Sequence, residues 1–165
     1  MLVRMSLSLE NAIAMLSRID LFAGFDHVRL EVLAFTAERR VFEAGATLFE
    51  NGAVADAAYL VLAGEAAMLG HASAGEQALA MRLQPGDFVG ERALLAGELR
   101  RSTVRAVTRV ETLRINRDLF LRLIGEFPEM GDAVSRALRL RLGALSDDMK
   151  ALSERQTTGQ GPKRT

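Results

Sequence analysis

The 165-residue chain is 49% hydrophobic and 25% charged, a globular mixture long enough for one domain with a sizeable core. Its 21 basic and 21 acidic residues cancel, so charge gives no support to sequence-independent binding of nucleic acid or of a membrane surface. The lack of cysteine excludes disulfides, zinc–thiolate clusters and thiol nucleophiles, and no apolar run reaches the roughly 18 residues that cross a bilayer; with no export signal at the N-terminus, a cytoplasmic protein is expected.

The periodicity predicts a helix from Ser8 to Ile19, with Leu9, Ala12, Ile13, Leu16 and Ile19 on one face and Ser8 as its cap. Asp20 to Phe25 breaks the period. A second helix is predicted from Asp26 to Glu38, capped by Asp26 and carrying Val28, Leu30, Val32, Leu33 and Phe35. From residue 40 to 116 the texture changes to short β-prone runs: Arg40 to Phe42, Thr47 to Glu50, Ala58 to Leu62, Glu65 to Leu69, Gln77 to Leu83, Asp87 to Val89, Ser102 to Ala106 and Val110 to Ile115. Glycines at 45, 52, 64, 70, 75, 86 and 90 fall in or beside the gaps. Eight such strands with turn signals between them argue for a sandwich or jelly roll. The Ala-rich loop from Ala53 to Ala58, with Asp56 as its one charge, is the segment with least to read.

Asn116 is placed to cap a helix over Arg117 to Gly125, with Leu119, Phe120, Leu123 and Ile124 as its buried stripe. Pro128 opens a longer helix at a position where a missing N–H is harmless. On it Leu138, Leu142, Leu145, Met149 and Leu152 repeat at steps of four and three, the spacing of a coiled-coil seam over about two heptads. Such a stripe also suits packing on the chain's own domain. The polar, Gly/Pro-bearing residues 156–165 are expected to be a disordered tail. The expected fold class is therefore mainly β with flanking helices: a β-roll over 40–116, N-terminal helices, and C-terminal helices over 117–155, all in one domain, 1–155.

The chemistry concentrates in Gly86-Asp87-Phe88-Val89-Gly90-Glu91-Arg92-Ala93-Leu94-Leu95, followed by Arg100-Arg101-Ser102-Thr103-Val104-Arg105-Ala106. A helix starting at Gly90 aims its first amides at whatever lies before it, which favours an anion. Arg100 adds a fork of donors suited to a phosphate, and Glu91 an acceptor for a hydroxyl. Taken alone, Glu91 and Arg100 also suit an internal ion pair.

This stretch resembles the phosphate-binding cassette of the cyclic-nucleotide-binding domains, as in bacterial catabolite activators and protein kinase A regulatory subunits. Val89, Gly90, Glu91, Ala93, Leu94, Leu95, Arg100, Thr103 and Val104 match it without a gap, and Gly45, Leu48, Gly52, Tyr59 and Gly64 match the spaced signature of its β-roll. Arg92, Leu99, Arg101 and Ser102 depart from the pattern. The resemblance implies that Glu91 takes the ribose 2′-hydroxyl, that Arg100 with the amides around Arg92 and Ala93 takes the cyclic phosphate, and that Arg101 and Ser102 lie beside it. It also implies that Met68, Ala80, Met81 and Val89 face the purine from the roll and Ser146 reaches it from the long helix. Arg101 stands where cyclic GMP binders often carry Ser or Thr, which tilts the expected ligand to cyclic AMP, with cyclic GMP the second choice.

The resemblance further implies a regulatory, non-catalytic module, its output passing through rearranged C-terminal helices, either as a homodimer through 131–152 or through an effector protein. The alternative is a scaffold of the same fold that no longer binds nucleotide. His27 and His71 are isolated, so neither a cupin-type metal set nor a Ser–His–acid triad is supported and no metal or cofactor is expected. The residues after the long helix are too few for a helix-turn-helix domain, so direct DNA binding is not expected.

Overall fold

The computed structural model describes the backbone of residues 2–71 and 77–158, and the side chains of that set apart from 2–7, 71, 77–80, 141–149, 152 and 155–158. Its helices are α1 (Leu2–Ser17), α2 (His27–Thr36), α3 (Glu91–Leu95), α4 (Arg117–Glu126) and α5 (Pro128–Thr158), with one 3-10 turn at Asp20–Phe22. The strands are β1 (Glu38–Phe42), β2 (Thr47–Phe49), β3 (Ala57–Ala63), β4 (Ala66–His71), β5 (Gln77–Leu83), β6 (Phe88–Val89), β7 (Thr103–Ala106) and β8 (Val110–Asn116). All eight predicted strands form, β5 with the expected ends.

Two four-stranded antiparallel sheets result, ordered β1-β8-β3-β6 and β2-β7-β4-β5. Strand alternation divides the apolar residues between two cores. On β3, Ala57, Tyr59 and Val61 point between the sheets, where they meet Leu48, Val104 and Val110. Ala58 and Leu60 point the other way, with Leu113 and Ile115 of β8, into a core shared with the helices. That outer core centres on Phe22, which is fully buried and packs its ring against Phe25, Phe88 and Phe120 at centroid distances of 5.3, 5.6 and 6.1 Å. Burying one such ring contributes about 1.5–3 kcal/mol. Because Phe88 lies two residues before Gly90, the helical core also fixes the approach to the glycine turn.

Two of the three expected helix caps form, whereas α1 starts at Leu2 and ends at Ser17, so Ser8 lies inside that helix and does not cap it. The Asp26 carboxylate accepts from the Arg29 amide at 2.9 Å, and the Asn116 side-chain oxygen accepts from the amides of Asp118 and Leu119 at 2.8 and 3.4 Å. Two further expectations change. On α2 only Leu30, Leu33 and Ala34 are buried, while Val28 and Phe35 are exposed; a face with i, i+3, i+4 spacing has no room for both of those as well. On α5, Met130, Ala133 and Val134 are buried and Leu138 packs partly against the same core, so Leu138 belongs to this domain's own packing. The side chains of Leu142, Leu145, Ser146, Met149 and Leu152 lie outside the described set. The helix runs to Thr158, and residues 159–165 of the expected tail are likewise outside it. No helix among the described residues is long and apolar enough to cross a membrane.

Candidate functional site

Gly90 begins the site. It holds φ +79°, ψ +21°, the left-handed region that favours glycine, and so turns the chain from β6 into the short helix α3. A Cβ at this position would lie 2.6 Å from Arg100 Nη1 and 3.2 Å from the Ala57 carbonyl oxygen. The glycine is thus required twice, for the turn and for the close approach of the guanidinium.

Arg100 is positioned by the Ala-rich loop that carried so little signal in the sequence. Its amide donates to the Ala53 carbonyl at 2.8 Å and its carbonyl accepts from the Gly52 amide at 2.8 Å, while the Ala55 amide bonds to the Glu98 carbonyl at 3.1 Å. Val54 and Leu99 form a bridge between the two segments. This local ladder drives the Arg100 side chain inward to 5% exposure.

There its guanidinium lies 4.1 Å from the centre of the Phe49 ring, a cation–π geometry. Nη2 donates to the Ala57 carbonyl at 2.6 Å and stands 3.6 Å from Asp56 Oδ1. Nε is buried with no partner. Burial lowers the pKa of Arg100, against the opposing pull of Tyr59 and Asp56; an arginine nevertheless stays cationic throughout the physiological range. A buried guanidinium with an orphaned donor is costly in the absence of a further acceptor.

The acceptor would enter a cavity of about 270 Å³, lined by the glycine turn, the first residues of α3, the segment 98–102, Phe49, Ala55 and Met68. Such a volume is close to the lower end, roughly 300 Å³, of small-ligand sites. The expected residues Gly90, Glu91, Arg92, Ala93, Arg100, Arg101, Ser102 and Met68 all line it. Glu91 is half-buried, and the Ala93 amide donates to the Gly90 carbonyl at 2.9 Å. Arg101 is exposed at the mouth, paired with Glu98 at 3.3 Å.

Two expected contacts fall elsewhere. Val89 is buried in the core between the sheets, because β6 points it inward beside Tyr59. Met81 pairs with Met68 across β5 and β4 but is half-exposed and outside the cavity lining. Ala80 and Ser146 have side chains outside the described set. Phe49, Asp56, Glu98 and Leu99, together with the Ala57 carbonyl, belong to the site and were not anticipated. Only the apolar type of Phe49 and the lone charge of Asp56 in an Ala-rich loop could have drawn attention to them. Among the described residues no group of acidic and histidine side chains is arranged to hold a metal ion, and His27 is exposed at the start of α2.

A double-layered β-roll thus gathers a positive-φ glycine turn, a buried arginine and a carboxylate around one small cavity. The sequence model of the cyclic nucleotide-binding domain matches residues 39–127, more than half of the chain and all of this site. The chain belongs to the cyclic nucleotide-binding domain family.

Among its relatives, a cGMP-dependent protein kinase of Caenorhabditis briggsae is 30% identical over 113 residues, covering 67% of this chain and 15% of the kinase. A CRP-like cAMP-activated global transcriptional regulator of Mycobacterium tuberculosis is 25% identical over 137 residues, covering 83% of this chain and 61% of the regulator. The chain thus spans less than two thirds of either relative. Among solved structures, the N-terminal domain of a transcriptional regulator from Streptomyces coelicolor A3(2) superposes with a TM-score of 0.77 at 26% identity, covering 81% of this chain and 95% of that domain.

Proposed function

We propose that this chain is a receptor domain for a cyclic purine nucleotide, cyclic AMP in the first place, and that it acts as a regulatory switch and not as an enzyme. The observation that carries the proposal is Arg100: a guanidinium at 5% exposure, with an orphaned Nε, against a cavity that also presents Glu91. A cyclic phosphodiester supplies the missing acceptor through a charge-assisted bond. Amides at the start of α3, around Arg92 and Ala93, add donors once Ala93 exchanges Gly90 for the phosphate. Glu91 then accepts from the ribose 2′-hydroxyl, Arg101 and Ser102 lie beside the phosphate, and the purine rests on Met68.

Output requires that the ligand favour one arrangement of α4 and α5 over another. The first residue of α4 is already tied to the site, since the Arg117 amide donates to the Asp56 carbonyl at 2.8 Å. The distal part of α5, within 131–152, then pairs with a second copy of the chain or with an effector protein.

A second reading, a scaffold that no longer binds nucleotide, draws on one observation: Arg100 already has the Ala57 carbonyl and Asp56 for company. Thermal melting with cyclic AMP, cyclic GMP and 5′-AMP separates the two. Ligand at 100 times Kd adds about 2.7 kcal/mol, which raises the Tm of a domain this size by roughly 5–10 °C. Cyclic AMP is expected to give that shift, cyclic GMP a smaller one and 5′-AMP none. No shift with either cyclic nucleotide would leave the scaffold reading.

A further inference from the structure

Arg114 lies outside the cavity lining, yet one carboxylate joins it to Arg100. Its Nη2 donates to Asp56 Oδ2 at 3.1 Å, whereas Arg100 Nη2 stands 3.6 Å from Asp56 Oδ1. Asp56 is therefore hydrogen-bonded to Arg114 and only approaches Arg100. Arg114 is itself fixed on its other sides. Nε donates to the Tyr59 hydroxyl at 3.3 Å and Nη1 to Glu38 Oε2 at 3.4 Å, and the side chain is 12% exposed. Tyr59 faces Arg114 directly across β3 and β8. Its ring stands between Phe42 and Phe49, with centroids 6.1 and 5.9 Å away, and Phe49 is the ring beneath Arg100. One aromatic row thus touches both guanidiniums, Arg100 over the Phe49 ring and Arg114 at the Tyr59 hydroxyl, and the Asp56 carboxylate reaches both.

A carboxylate and a guanidinium pair best as a two-bond fork. With Arg114 holding one oxygen, Asp56 cannot present both to Arg100. We infer that Arg114 is a positioning residue for anion binding: by retaining Asp56 it keeps Arg100 short of full internal pairing, and so keeps that guanidinium open to a phosphate. Without Arg114, Asp56 turns both oxygens to Arg100, and an incoming anion must first displace them. The effect on affinity rests on the reading of Arg100 as the phosphate contact; the hold of Arg114 on Asp56 does not, and is measurable in the free protein.

The test uses the full chain with Arg114→Gln, Asp56→Asn and the double variant, plus Arg114→Lys, which keeps the charge but not the fork. The first readout is the NMR resonance of the Arg100 Nε–H group without ligand, assigned by its loss in Arg100→Lys. It is expected to move in Arg114→Gln and to return when Asp56→Asn is added. The second is calorimetric titration with cyclic AMP. Arg114→Gln is expected to weaken binding about tenfold or more and Arg114→Lys less, while the double variant binds within about threefold of Asp56→Asn alone, the coupling of a double-mutant cycle. An unmoved Nε–H resonance in folded Arg114→Gln or Arg114→Lys overturns the inference. So does a double variant as weak as Arg114→Gln, which would make the loss a packing effect independent of Asp56. If the unaltered chain binds neither cyclic nucleotide, the reading of the site fails, and the NMR readout still decides the role of Arg114.

Discussion

Gly90 and Arg100 are fitted to each other: the Cβ that any other residue would bring to position 90 falls 2.6 Å from the Arg100 Nη1 atom. The turn into α3 and the seat of the buried cation are consequently one feature of the fold, set by an absent side chain.

Gly90→Ala tests that coupling. The left-handed backbone costs an L-residue about 1–2 kcal/mol, and the new methyl must also displace the guanidinium or the Ala57 carbonyl. The variant is expected to lose that stability in urea unfolding and to bind cyclic AMP at least tenfold more weakly, in line with roughly 1.4 kcal/mol per decade. Destabilisation with unchanged binding would separate the turn from the cation's seat.

Acid should loosen the junction of α2 and α5. Arg29 Nη2 lies 3.0 Å from Glu129 Oε2, and the hydrogen bond from Arg29 holds the Glu129 carboxyl below its ordinary value of 4.5. A carboxyl lowered on folding stabilises the fold above its unfolded pKa, and that contribution fades as pH falls through the folded value. The Tm difference between the unaltered chain and Glu129→Gln should therefore be present at pH 7 and fade as pH falls through the lowered folded value of Glu129, where the carboxyl becomes neutral like the amide. A difference that persists in acid would assign the effect to packing.

Leu142 and Leu145 probe the distal half of α5. Replacing both with Glu puts charges into any coiled-coil seam, and sedimentation should then report monomers where the unaltered chain reports dimers. An unchanged mass, with the fold intact by circular dichroism, would place those leucines on the chain's own domain, as Leu138 already is.

Much of the architecture was legible because it is written in side-chain type and period. Residues Gln77 to Leu83 read as a strand because they form a short β-prone run between turn signals, and Asn116 and Asp26 announced helix starts by the one chemistry they perform best there. The cassette from Val89 to Leu95 and the arginine at position 100 were legible as a unit, because together they match the family's phosphate-binding cassette without a gap.

The features that escaped the sequence are carried by backbone groups and by direction. The Ala57 carbonyl that receives Arg100, and the pairing of residues 52–55 with 98–100, involve main-chain atoms that every residue has. Asp56 could not be joined to Arg100 and Arg114 before the roll brought residues 44 and 58 positions away onto one carboxylate. Val28 and Phe35 are apolar and exposed, and Val89 is apolar and turned into the core; residue type says that a side chain suits burial, while only the packed fold says which face is covered.

The claim at the centre is that Arg100 is the anion contact. It is tested most directly by titrating the unaltered chain and Arg100→Ala side by side with cyclic AMP in a calorimeter. Charge-assisted hydrogen bonds contribute about 1.5–3 kcal/mol each, so removal of the guanidinium should weaken binding about 100-fold or abolish it, while the variant still unfolds cooperatively. Equal affinity in the two proteins would contradict the assignment of the site.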